Sequence, residues 1–318
     1  TILKQNKGKE KRMDIKKVCI VGMGALGVLY GEFFTRKMGK QFVEFVANEN
    51  RIKKYREEGV FCNGIPCDFN ITDENEKGRP ADLLIFAVKG TALKSAIITA
   101  RNKVSDNTII LSLLNGISSE EIIGQAFGMD KLLYCVAQGM DAVKIGNELT
   151  YSHMGHICIG IMDNELDKKE KLQAVVDLFE KTGLPYRLES DIKHRLWSKF
   201  MLNVGVNQAV MIYKGTYGTV QHPGEARELM KAAMREVIVL AEKENVNLTE
   251  KDLEEYVSLL DTLDPNGMPS MRQDGLVHRK SEVELFSGTV LSLAKKHGVP
   301  VPVNQKIYEI IRDMESKY

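Results

Sequence analysis

From Lys17 onward, the first half of the chain alternates short apolar runs with segments of helical periodicity. The runs are rich in β-branched residues, and most are apolar enough to be strands buried on both faces. The predicted strands are VCIVG (18–22), FVEFVA (42–47), DLLIFAV (82–88), TIILSLL (108–114) and LLYCVA (132–137). Apolar strands separated by helices predict an α/β domain with a doubly wound parallel sheet.

Two stretches depart from this alternation. GVFCNGIPCDFNIT (59–72) places Asn-Gly between alternating segments, which predicts a hairpin in place of a simple helical connection. Residues 140–161 contain glycine breaks and predict an antiparallel addition at the edge of the sheet. A helix over 164–182, ended by Gly183 and Pro185, and the segment PYRLE complete this half of the chain.

After about Glu189 the strand pattern stops and helical periodicity replaces it. The predicted helices cover residues 191–212, 223–245, 249–261, 270–297 and 303–317. Strands with helices, followed by helices alone, predict a second, all-α domain. We therefore divide the chain into a flexible polar extension (1–12), an α/β domain (13–189) and a helical domain (190–318).

Composition narrows the functional classes. The chain of 318 residues is 43% hydrophobic and 27% charged, with a formal net charge of +1, and its basic residues do not gather into an aromatic-rich groove. This balance argues against nucleic acid and favours a small-molecule partner. No run approaches the roughly 18 apolar residues that cross a bilayer, so we expect a protein that is neither membrane-embedded nor secreted.

The cysteines and histidines give no pattern of a metal site. The five cysteines form no CxxC pair, which argues against a zinc site or a disulfide framework and favours the reducing cytoplasm. His153 and His156 form an HxxH without a carboxylate-bearing helical context, so two imidazoles on a β-turn are the favoured interpretation. We therefore expect no bound metal.

The first predicted strand leads directly into a glycine motif. Gly22, Gly24 and Gly27, with Ala25 and Leu26 before the last glycine, form G-x-G-x-x-G between a strand and a helix. The first glycine permits a tight turn, the second lets backbone N–H groups approach a pyrophosphate, and the third lets the helix lie close to the strand. The positive end of the helix then faces the phosphates. The motif predicts a Rossmann-like dinucleotide-binding domain.

The end of the second strand should discriminate between NADH and NADPH. An acid there would hold a ribose 2′-OH, whereas an arginine would accept a 2′-phosphate. The sequence offers both, because Asn48 and Glu49 are followed by Arg51, and Lys89 follows the strand DLLIFAV. Glu49 favours NAD if it points inward, whereas Arg51 and Lys89 favour NADP if they converge on the adenosine. Each of these charges is also typical of a solvated surface.

The segment LWSKFMLNVGVNQAV (196–210) predicts a helix with an unusual polar face. Lys199, Asn203 and Asn207 recur every four residues, which places them within an arc of about 80° on an α-helix. Such a stripe ordinarily meets water. Asparagine is a poor helix former, however, so two of them a turn apart indicate a buried hydrogen-bonding role.

Taken together, GMGALG, VKG (88–90), LLNG (113–116), LWSKFMLNVGVNQ and SMRQDGLVHRKSEVE resemble the ketopantoate reductase (2-dehydropantoate 2-reductase) family. The resemblance covers nearly the whole chain after Met13, in order and with compatible spacing. It implies a Rossmann domain followed by a helical domain, with the active site in the cleft between them. It also implies NADPH-dependent reduction of ketopantoate, a 2-oxo acid, to pantoate on the route to pantothenate and coenzyme A.

The resemblance assigns roles to individual residues. It assigns catalysis to Lys199, substrate binding to Asn203, Asn207, Ser270 and Glu282, and cofactor contacts to Asn115 and, near the adenosine phosphate, to Lys89. Two positions depart from the family. Asn48 replaces a frequent arginine, which weakens the NADP assignment unless Arg51 substitutes for it. Tyr217 falls where a further substrate asparagine is expected, which leaves the identity of the substrate open.

The chemistry can be argued separately from the resemblance. Hydride transfer to a ketone leaves negative charge on its oxygen, so a cation that also donates a proton should lie within hydrogen-bonding distance. Lys199 meets both requirements, particularly if desolvation lowers its pKa. The two asparagines would orient the substrate, Ser270 would contact its carboxylate, and Glu282 would hold its hydroxyl or position the lysine.

Three of these residues have ordinary structural alternatives. Ser270 with Gln273 matches a helix capping box, which would turn the hydroxyl to the backbone. Glu282 would ordinarily be a solvent-facing helix carboxylate. Asn115-Gly116 would ordinarily form a turn after a strand.

The leading hypothesis is an NADPH-dependent ketopantoate reductase with Lys199 as general acid. A reductase of another 2-oxo acid or related carbonyl on the same scaffold is the closest alternative, motivated by Asn48 and Tyr217. A non-enzymatic sensor of nicotinamide dinucleotide is a third, since function does not follow from fold. A homodimer is left open, because helices 223–245 and 270–297 have apolar faces that would pack either internally or against a second subunit.

Overall fold

A computed structural model describes residues 13–318, so the predicted extension of residues 1–12 lies outside the described residues. The chain forms two compact units. The first contains residues 13–88, Lys94–Leu113 and Ile123–Ser190, and the second contains Lys89–Leu93, Leu114–Ile122 and Asp191–Tyr318. Two short segments that follow strands of the first unit therefore belong to the second unit.

The first unit is built on a parallel sheet of five strands. The strands of this unit are β1 (Val18–Val21), β2 (Val43–Ala47), β3 (Phe61–Cys62), β4 (Ile65–Pro66), β5 (Asn70–Asp73), β6 (Leu83–Phe86), β7 (Ile109–Ser112), β8 (Tyr134–Met140), β9 (Val143–Ile145), β10 (Glu148–Thr150), β11 (Met154–Gly160) and β12 (Tyr186–Leu188). The main sheet has the order β5-β2-β1-β6-β7, and every pairing in it is parallel. All residues of β1, β2, β6 and β7 are buried, and Glu44 and Ser112 are the polar residues among them. The apolar majority of these strands is what a sheet covered on both faces predicts.

The predicted Asn-Gly hairpin is present. β3 and β4 pair antiparallel, and Asn63 (φ 50°) and Gly64 (φ 77°) form the turn between them. Both central residues have positive φ, as a type I′ turn requires. The hairpin joins β10 and β9 in a four-stranded sheet of its own.

Two expectations about the later strands need correction. LLYCVA (132–137) is not a strand of the parallel sheet: Leu132 makes one isolated bridge to Ile110, and β8 then pairs antiparallel with β11. Residues 140–161 do form antiparallel structure, but they complete separate four-stranded and three-stranded sheets. The apolar pattern marks a buried strand but does not indicate its partner, and β11 provides a long antiparallel ladder for β8.

Within residues 13–190, five α-helices precede the helical part of the chain: α1 (Ala25–Met38), α2 (Glu49–Glu58), α3 (Leu93–Ala100), α4 (Ser119–Phe127) and α5 (Lys169–Thr182). Short 3-10 turns lie at Lys40–Phe42, Gly90–Ala92, Arg101–Lys103, Met129–Lys131 and Leu166–Lys168. The helix predicted over 164–182 corresponds to the last of these turns and α5. It ends at Gly183, which adopts the left-handed conformation that favours glycine.

The second unit is helical, as predicted. Its helices are α6 (Ile192–Leu202), α7 (Gln208–Ile212), α8 (Tyr217–Gln221), α9 (Glu225–Lys243), α10 (Glu250–Leu260), α11 (Ser270–Leu276), α12 (Thr289–His297) and α13 (Pro302–Glu315). A first π-turn (Asn203–Asn207) joins α6 to α7, and a second π-turn (Glu284–Gly288) precedes α12. The parallel sheet with its helices and the all-α unit confirm the predicted fold class. No helix among residues 13–318 combines the length and apolar character needed to cross a membrane.

The single helix predicted over 270–297 is wrong. The chain leaves the helix after Leu276, and His278 has φ 49°. The break lets Ser281 reach a buried carboxylate, since its N–H donates to Glu315 Oε1 at 2.7 Å. Apolar spacing continues across the break, so periodicity does not reveal it.

Candidate functional site

The loop between β1 and α1 carries the glycine motif. Gly22 has φ +105°, and a Cβ there would lie 2.5 Å from the carbonyl oxygen of Ala87, so glycine is required at this turn. A Cβ on Gly27 would lie 2.0 Å from the carbonyl oxygen of Gly22, which shows how closely α1 approaches the turn. Gly24 directly precedes the helix and has no side chain to cap it.

The beginning of α1 has the properties of an anion site. The helix spans 14 residues, and its first turn contains no acidic residue. Backbone N–H groups in this turn, including those of Ala25, Leu26 and Gly27, are donors without intrahelical partners. A Cβ on Gly24 would make only an ordinary contact, 3.6 Å from Ala87 O. Donors, dipole and space together fit the pyrophosphate of a dinucleotide.

The end of β2 offers exposed charges for the adenosine end of such a cofactor. Asn48 precedes α2, and its Oδ1 accepts the N–H of Arg51 at 3.0 Å. Glu49 and Arg51 are both exposed. An acid and an arginine are therefore both available to a ribose, and the choice between NADH and NADPH stays a prediction.

A polar cluster in the second unit brings together four of the predicted site residues and one that was not predicted. The lysine-glutamate cluster consists of Lys89, Asn115, Lys199, Asp274 and Glu282. Asn115 Nδ2 donates to Glu282 Oε2 at 2.9 Å, and the Lys89 ammonium bonds Asp274. The charges of Lys89 and Lys199 both act on Glu282. Residues far apart in sequence thus surround one carboxyl group.

The residues around Glu282 determine the direction in which its pKa shifts. Burial raises the pKa of Glu282 above its ordinary value, and the charge of Asp274 acts in the same direction. The hydrogen bond from Asn115 and the two lysine charges oppose that rise in pKa. Glu282 is therefore not the solvent-facing carboxylate of an ordinary helix, and Asn115 does more than form a turn.

Lys89 was predicted to lie near the adenosine phosphate. Its contact with Asp274 and its charge on Glu282 associate it with the lysine-glutamate cluster. The adenosine role of Lys89 stays a prediction.

The asparagine face of the helix is buried. Asn203 is 8% exposed and Asn207 is 7% exposed, so neither meets solvent as an ordinary polar stripe would. They begin and end the first π-turn, a conformation that is rare and frequent at functional sites. Within the described part of the chain, Asn203 Nδ2 has no hydrogen-bond partner. A buried donor without a partner is costly, so this amide is available to a ligand oxygen.

Ser270 does not form the capping box that its sequence suggests. The residue that precedes α11 is Pro269, and no side-chain hydrogen bond caps this helix. Gln273 instead donates to the carbonyl of Met268 at 3.1 Å. Ser270 is exposed at the first position of α11, one turn before Asp274 of the lysine-glutamate cluster. Its role in substrate binding stays a prediction.

Sequence reasoning missed two buried polar residues. Asp274 lies four residues after Ser270, and it pairs with Lys89 and with Arg279, whose Nη1 is 3.3 Å away. Gln208 follows Asn207 directly and is completely buried. The helical spacing from Ser270 indicates the position of Asp274, but the apolar sequence around Gln208 gives no comparable indication.

The HxxH motif has ordinary partners. His153 Nδ1 lies 3.2 Å from Asp141 Oδ2, and His156 Nε2 lies 3.2 Å from Gln138 Nε2. Among residues 13–318, no group of three or more His, Cys, Asp or Glu side chains is arranged to hold a metal ion. The described contacts of both histidines are therefore hydrogen bonds within the first unit.

Both halves of the chain match known proteins. Residues 18–164 match the family described as "Ketopantoate reductase PanE/ApbA", and residues 191–315 match its "C terminal" part. A 2-dehydropantoate 2-reductase from Aquifex aeolicus (strain VF5) is 27% identical over 307 residues, which cover 95% of this chain and 97% of that relative. A solved D-mandelate dehydrogenase with NADH and anilino(oxo)acetate has a TM-score of 0.81 and 21% identity, over 95% of this chain and 99% of that one. A dimeric ketopantoate reductase from Staphylococcus aureus has a TM-score of 0.78 and 18% identity, over 95% and 99% of the two chains.

Proposed function

The chain belongs to the ketopantoate reductase family, and from that premise we propose that it reduces 2-dehydropantoate to (R)-pantoate with NADPH and a proton from Lys199. The chain is an oxidoreductase that acts on a CH–OH group, so the non-enzymatic sensor is no longer a candidate. Its cofactor is a nicotinamide dinucleotide, and the preference for NADPH is part of the proposal. The reaction would serve the route to pantothenate and coenzyme A.

The observation that supports the proposal most strongly is the set of polar and charged groups around Glu282. Its carboxyl group accepts a hydrogen bond from Asn115, and the charge of Lys199 acts on it. A reduction needs a cation that donates a proton where negative charge develops on the ketone oxygen. The bound nicotinamide supplies the hydride. Lys199 supplies the cation, and Glu282 holds its ammonium group or the substrate hydroxyl.

The two buried asparagines suit substrate binding. An amide orients a substrate by hydrogen bonds without adding charge, which leaves Lys199 as the cation that meets the developing alkoxide. The unpartnered Nδ2 of Asn203 is a donor that requires an acceptor, and a substrate oxygen would provide one. We assign Ser270 to the substrate carboxylate and the turn from Gly22 to Gly27 to the cofactor pyrophosphate.

Lys199→Ala tests the mechanism. General acid catalysis contributes about 10²- to 10⁴-fold, so we expect kcat with 2-dehydropantoate to fall by about this factor while the Kd for NADPH is unchanged. The matched control is Lys193→Ala on the same helix, because Lys193 Nζ donates to the carbonyl of Glu244. A Lys199→Ala variant with an undiminished rate would remove the proposed mechanism.

A reductase of another 2-oxo acid is the second candidate, and Tyr217 is the observation that favours it. The Tyr217 ring packs over Gly267, where an added Cβ would lie 2.9 Å from its Cδ2, and its N–H donates to the carbonyl of Gly267 at 2.9 Å. An aromatic ring thus stands where the family resemblance expects an asparagine. The D-mandelate dehydrogenase with a similar fold acts on a different substrate.

Turnover of a panel of 2-oxo acids with NADH and NADPH separates the candidates. We expect the highest kcat/KM for 2-dehydropantoate with NADPH. Preference for an acid without the dimethyl hydroxymethyl group would reject the first candidate, and preference for NADH would reject the cofactor assignment. The most direct single measurement is NADPH oxidation on addition of 2-dehydropantoate.

We also propose a homodimer in the cytoplasm. One structural relative is described as a dimeric reductase. All five cysteines of this chain are free thiols, which suits a reducing compartment. The dimer is tested by light scattering coupled to gel filtration, where the mass of a single chain would contradict it.

A further inference from the structure

Each π-turn of the second unit leaves one backbone group without its usual helical partner. In the first π-turn, the N–H of Gln208 donates to the carbonyl of Gly205 and not to the carbonyl of Val204, which would accept it in an α-helix. The Val204 carbonyl is therefore the group that lacks its usual partner. In the second, the carbonyl of Val283 accepts the N–H of Gly288 at 2.9 Å, the bond from residue i to i+5 that defines a π-turn. The N–H of Ser287, which an α-helix would direct to Val283, is turned elsewhere.

The side chain of Gln208 satisfies both groups. Its Nε2 donates to the carbonyl of Val204 at 2.8 Å, and its Oε1 accepts the N–H of Ser287 at 3.3 Å. Gln208 is 0% exposed, so water does not compete for either bond. A neutral amide can donate to a carbonyl and accept from an N–H at once. Gln208 therefore links the first π-turn directly to the second.

The link continues into the core of the helical unit. Ser287 Oγ donates to Asn304 Oδ1 at 2.9 Å, and Asn304 Nδ2 donates to Glu236 Oε2 at 2.8 Å. Glu236 also accepts the N–H groups of Val303 and Asn304, both at 2.8 Å, at the beginning of α13. A carboxylate at a helix N-terminus is favourable. Gln208 is therefore held by a chain of hydrogen bonds that is buried as far as Asn304 and part-buried at Glu236.

We propose that Gln208 is a positioning residue that fixes the asparagine face relative to Glu282. The first π-turn begins at Asn203 and ends at Asn207, and the second begins two residues after Glu282. A displacement of either turn would therefore move substrate-binding groups with respect to the carboxyl group of Glu282, on which the charge of Lys199 acts. The proposal rests on the proposed function, because it assigns these residues to one substrate. Binding sites lose catalytic efficiency when such supporting bonds are removed.

Two substitutions of Gln208 test this role. Gln208→Met keeps the approximate shape and removes both bonds, so we expect KM for 2-dehydropantoate to rise by about tenfold while the Kd for NADPH is unchanged. Gln208→Glu should retain most of the wild-type KM, because burial keeps the introduced carboxyl protonated, so that it donates to Val204 and accepts from Ser287. Gln208→Asn, one methylene shorter, replaces Gln208→Met if that variant does not fold.

Gln221→Met is the matched control. Gln221 Nε2 donates to the carbonyls of Leu260 and Leu263, at 2.8 and 2.9 Å, so the control removes side-chain to backbone bonds of the same unit away from both π-turns. We expect it to leave KM unchanged. Wild-type kinetics in Gln208→Met, or an equal rise of KM in Gln221→Met, would overturn the proposal.

Hydrogen exchange provides a measurement that does not depend on activity. In Gln208→Met, the amides of residues 203–208 and 284–288 should both exchange faster, and in Gln221→Met neither segment should change. Faster exchange confined to residues 203–208 would show that Gln208 does not join the two turns. A wild-type protein without turnover would reject the proposed function, whereas the exchange result would still decide whether Gln208 couples the π-turns.

Discussion

Gly24 and Gly27 lie three residues apart in one motif, yet substitution by alanine should affect stability at Gly27 and cofactor binding at Gly24. A Cβ on Gly27 would lie 2.0 Å from the carbonyl oxygen of Gly22. Carbon and oxygen approach to about 3.3 Å, so Gly27→Ala would force α1 away from the turn by about 1.3 Å. A Cβ on Gly24 would lie 3.6 Å from the nearest atom, and its φ of −74° and ψ of −170° are open to alanine.

These distances set the expected magnitudes. Overpacking costs about 1–3 kcal/mol, so Gly27→Ala should lower Tm by about 2–12 °C. Gly24→Ala should leave Tm unchanged, because its Cβ meets no atom of the protein closely. Its methyl group would instead occupy the space that the pyrophosphate needs against the helix. Loss of hydrogen bonds to a charged group costs about 1.5–3 kcal/mol, which predicts a Kd for NADPH about 10- to 150-fold higher.

Thermal denaturation without cofactor and NADPH titration by fluorescence measure the two effects separately. Gly78→Ala is the control, because a Cβ there meets nothing within 4 Å and Gly78 lies in a loop of the same unit. Wild-type NADPH affinity in Gly24→Ala would refute the placement of the pyrophosphate at this turn. An unchanged Tm in Gly27→Ala would refute the close approach of α1.

Three further substitutions test buried groups. Asn203→Leu removes a buried donor without a partner, which costs about 1–3 kcal/mol, so it should raise Tm while it raises KM for 2-dehydropantoate; a lower Tm would contradict this. Burial raises the pKa of Glu120 from 4.5 to about 7. Between these two pH values the folded state holds a proton that the unfolded state has lost. The free energy of unfolding therefore falls as pH rises through this range. Glu120→Gln should remove that fall and gain up to about 3 kcal/mol at pH ~8 with no gain at pH ~4, as measured by denaturant titration at several pH values. Gly205→Ala should lower Tm, because its Cβ would lie 2.5 Å from Met234 Cγ, and in a double-mutant cycle Met234→Ala should reduce the cost of the alanine.

The parallel sheet was predictable because burial on both faces leaves a direct mark in the sequence. The residues of β1 and β6 are all buried and their sequences are uninterrupted apolar runs. The sequence of a strand does not show which other strand it pairs with. LLYCVA has the same composition whether it extends the parallel sheet or pairs with β11, and the choice depends on a strand more than ten residues away.

The cluster around Glu282 was predictable in its members but not in its contacts. Chemistry and family resemblance identify Asn115, Lys199 and Glu282. The hydrogen bond between Asn115 and Glu282 joins residues that are 167 positions apart in the sequence. Lys89 was identified as a cation, but its bond to the buried Asp274 was not foreseen. Local sequence patterns report secondary structure, whereas these bonds depend on how distant segments pack.

The π-turn changes the geometry of the polar helix face. On a regular α-helix four residues advance by about 400°, so Lys199, Asn203 and Asn207 would drift steadily over about 80°. A π-turn has about 4.4 residues per turn, so four residues advance by about 330° and the step from Asn203 to Asn207 reverses the drift. Asn207 then returns to within about 10° of Lys199, and the whole set occupies about 40°. Because Gln208 and Ser287 supply bonds that the π-turns need, the narrow face depends on a buried amide that no helical periodicity reveals.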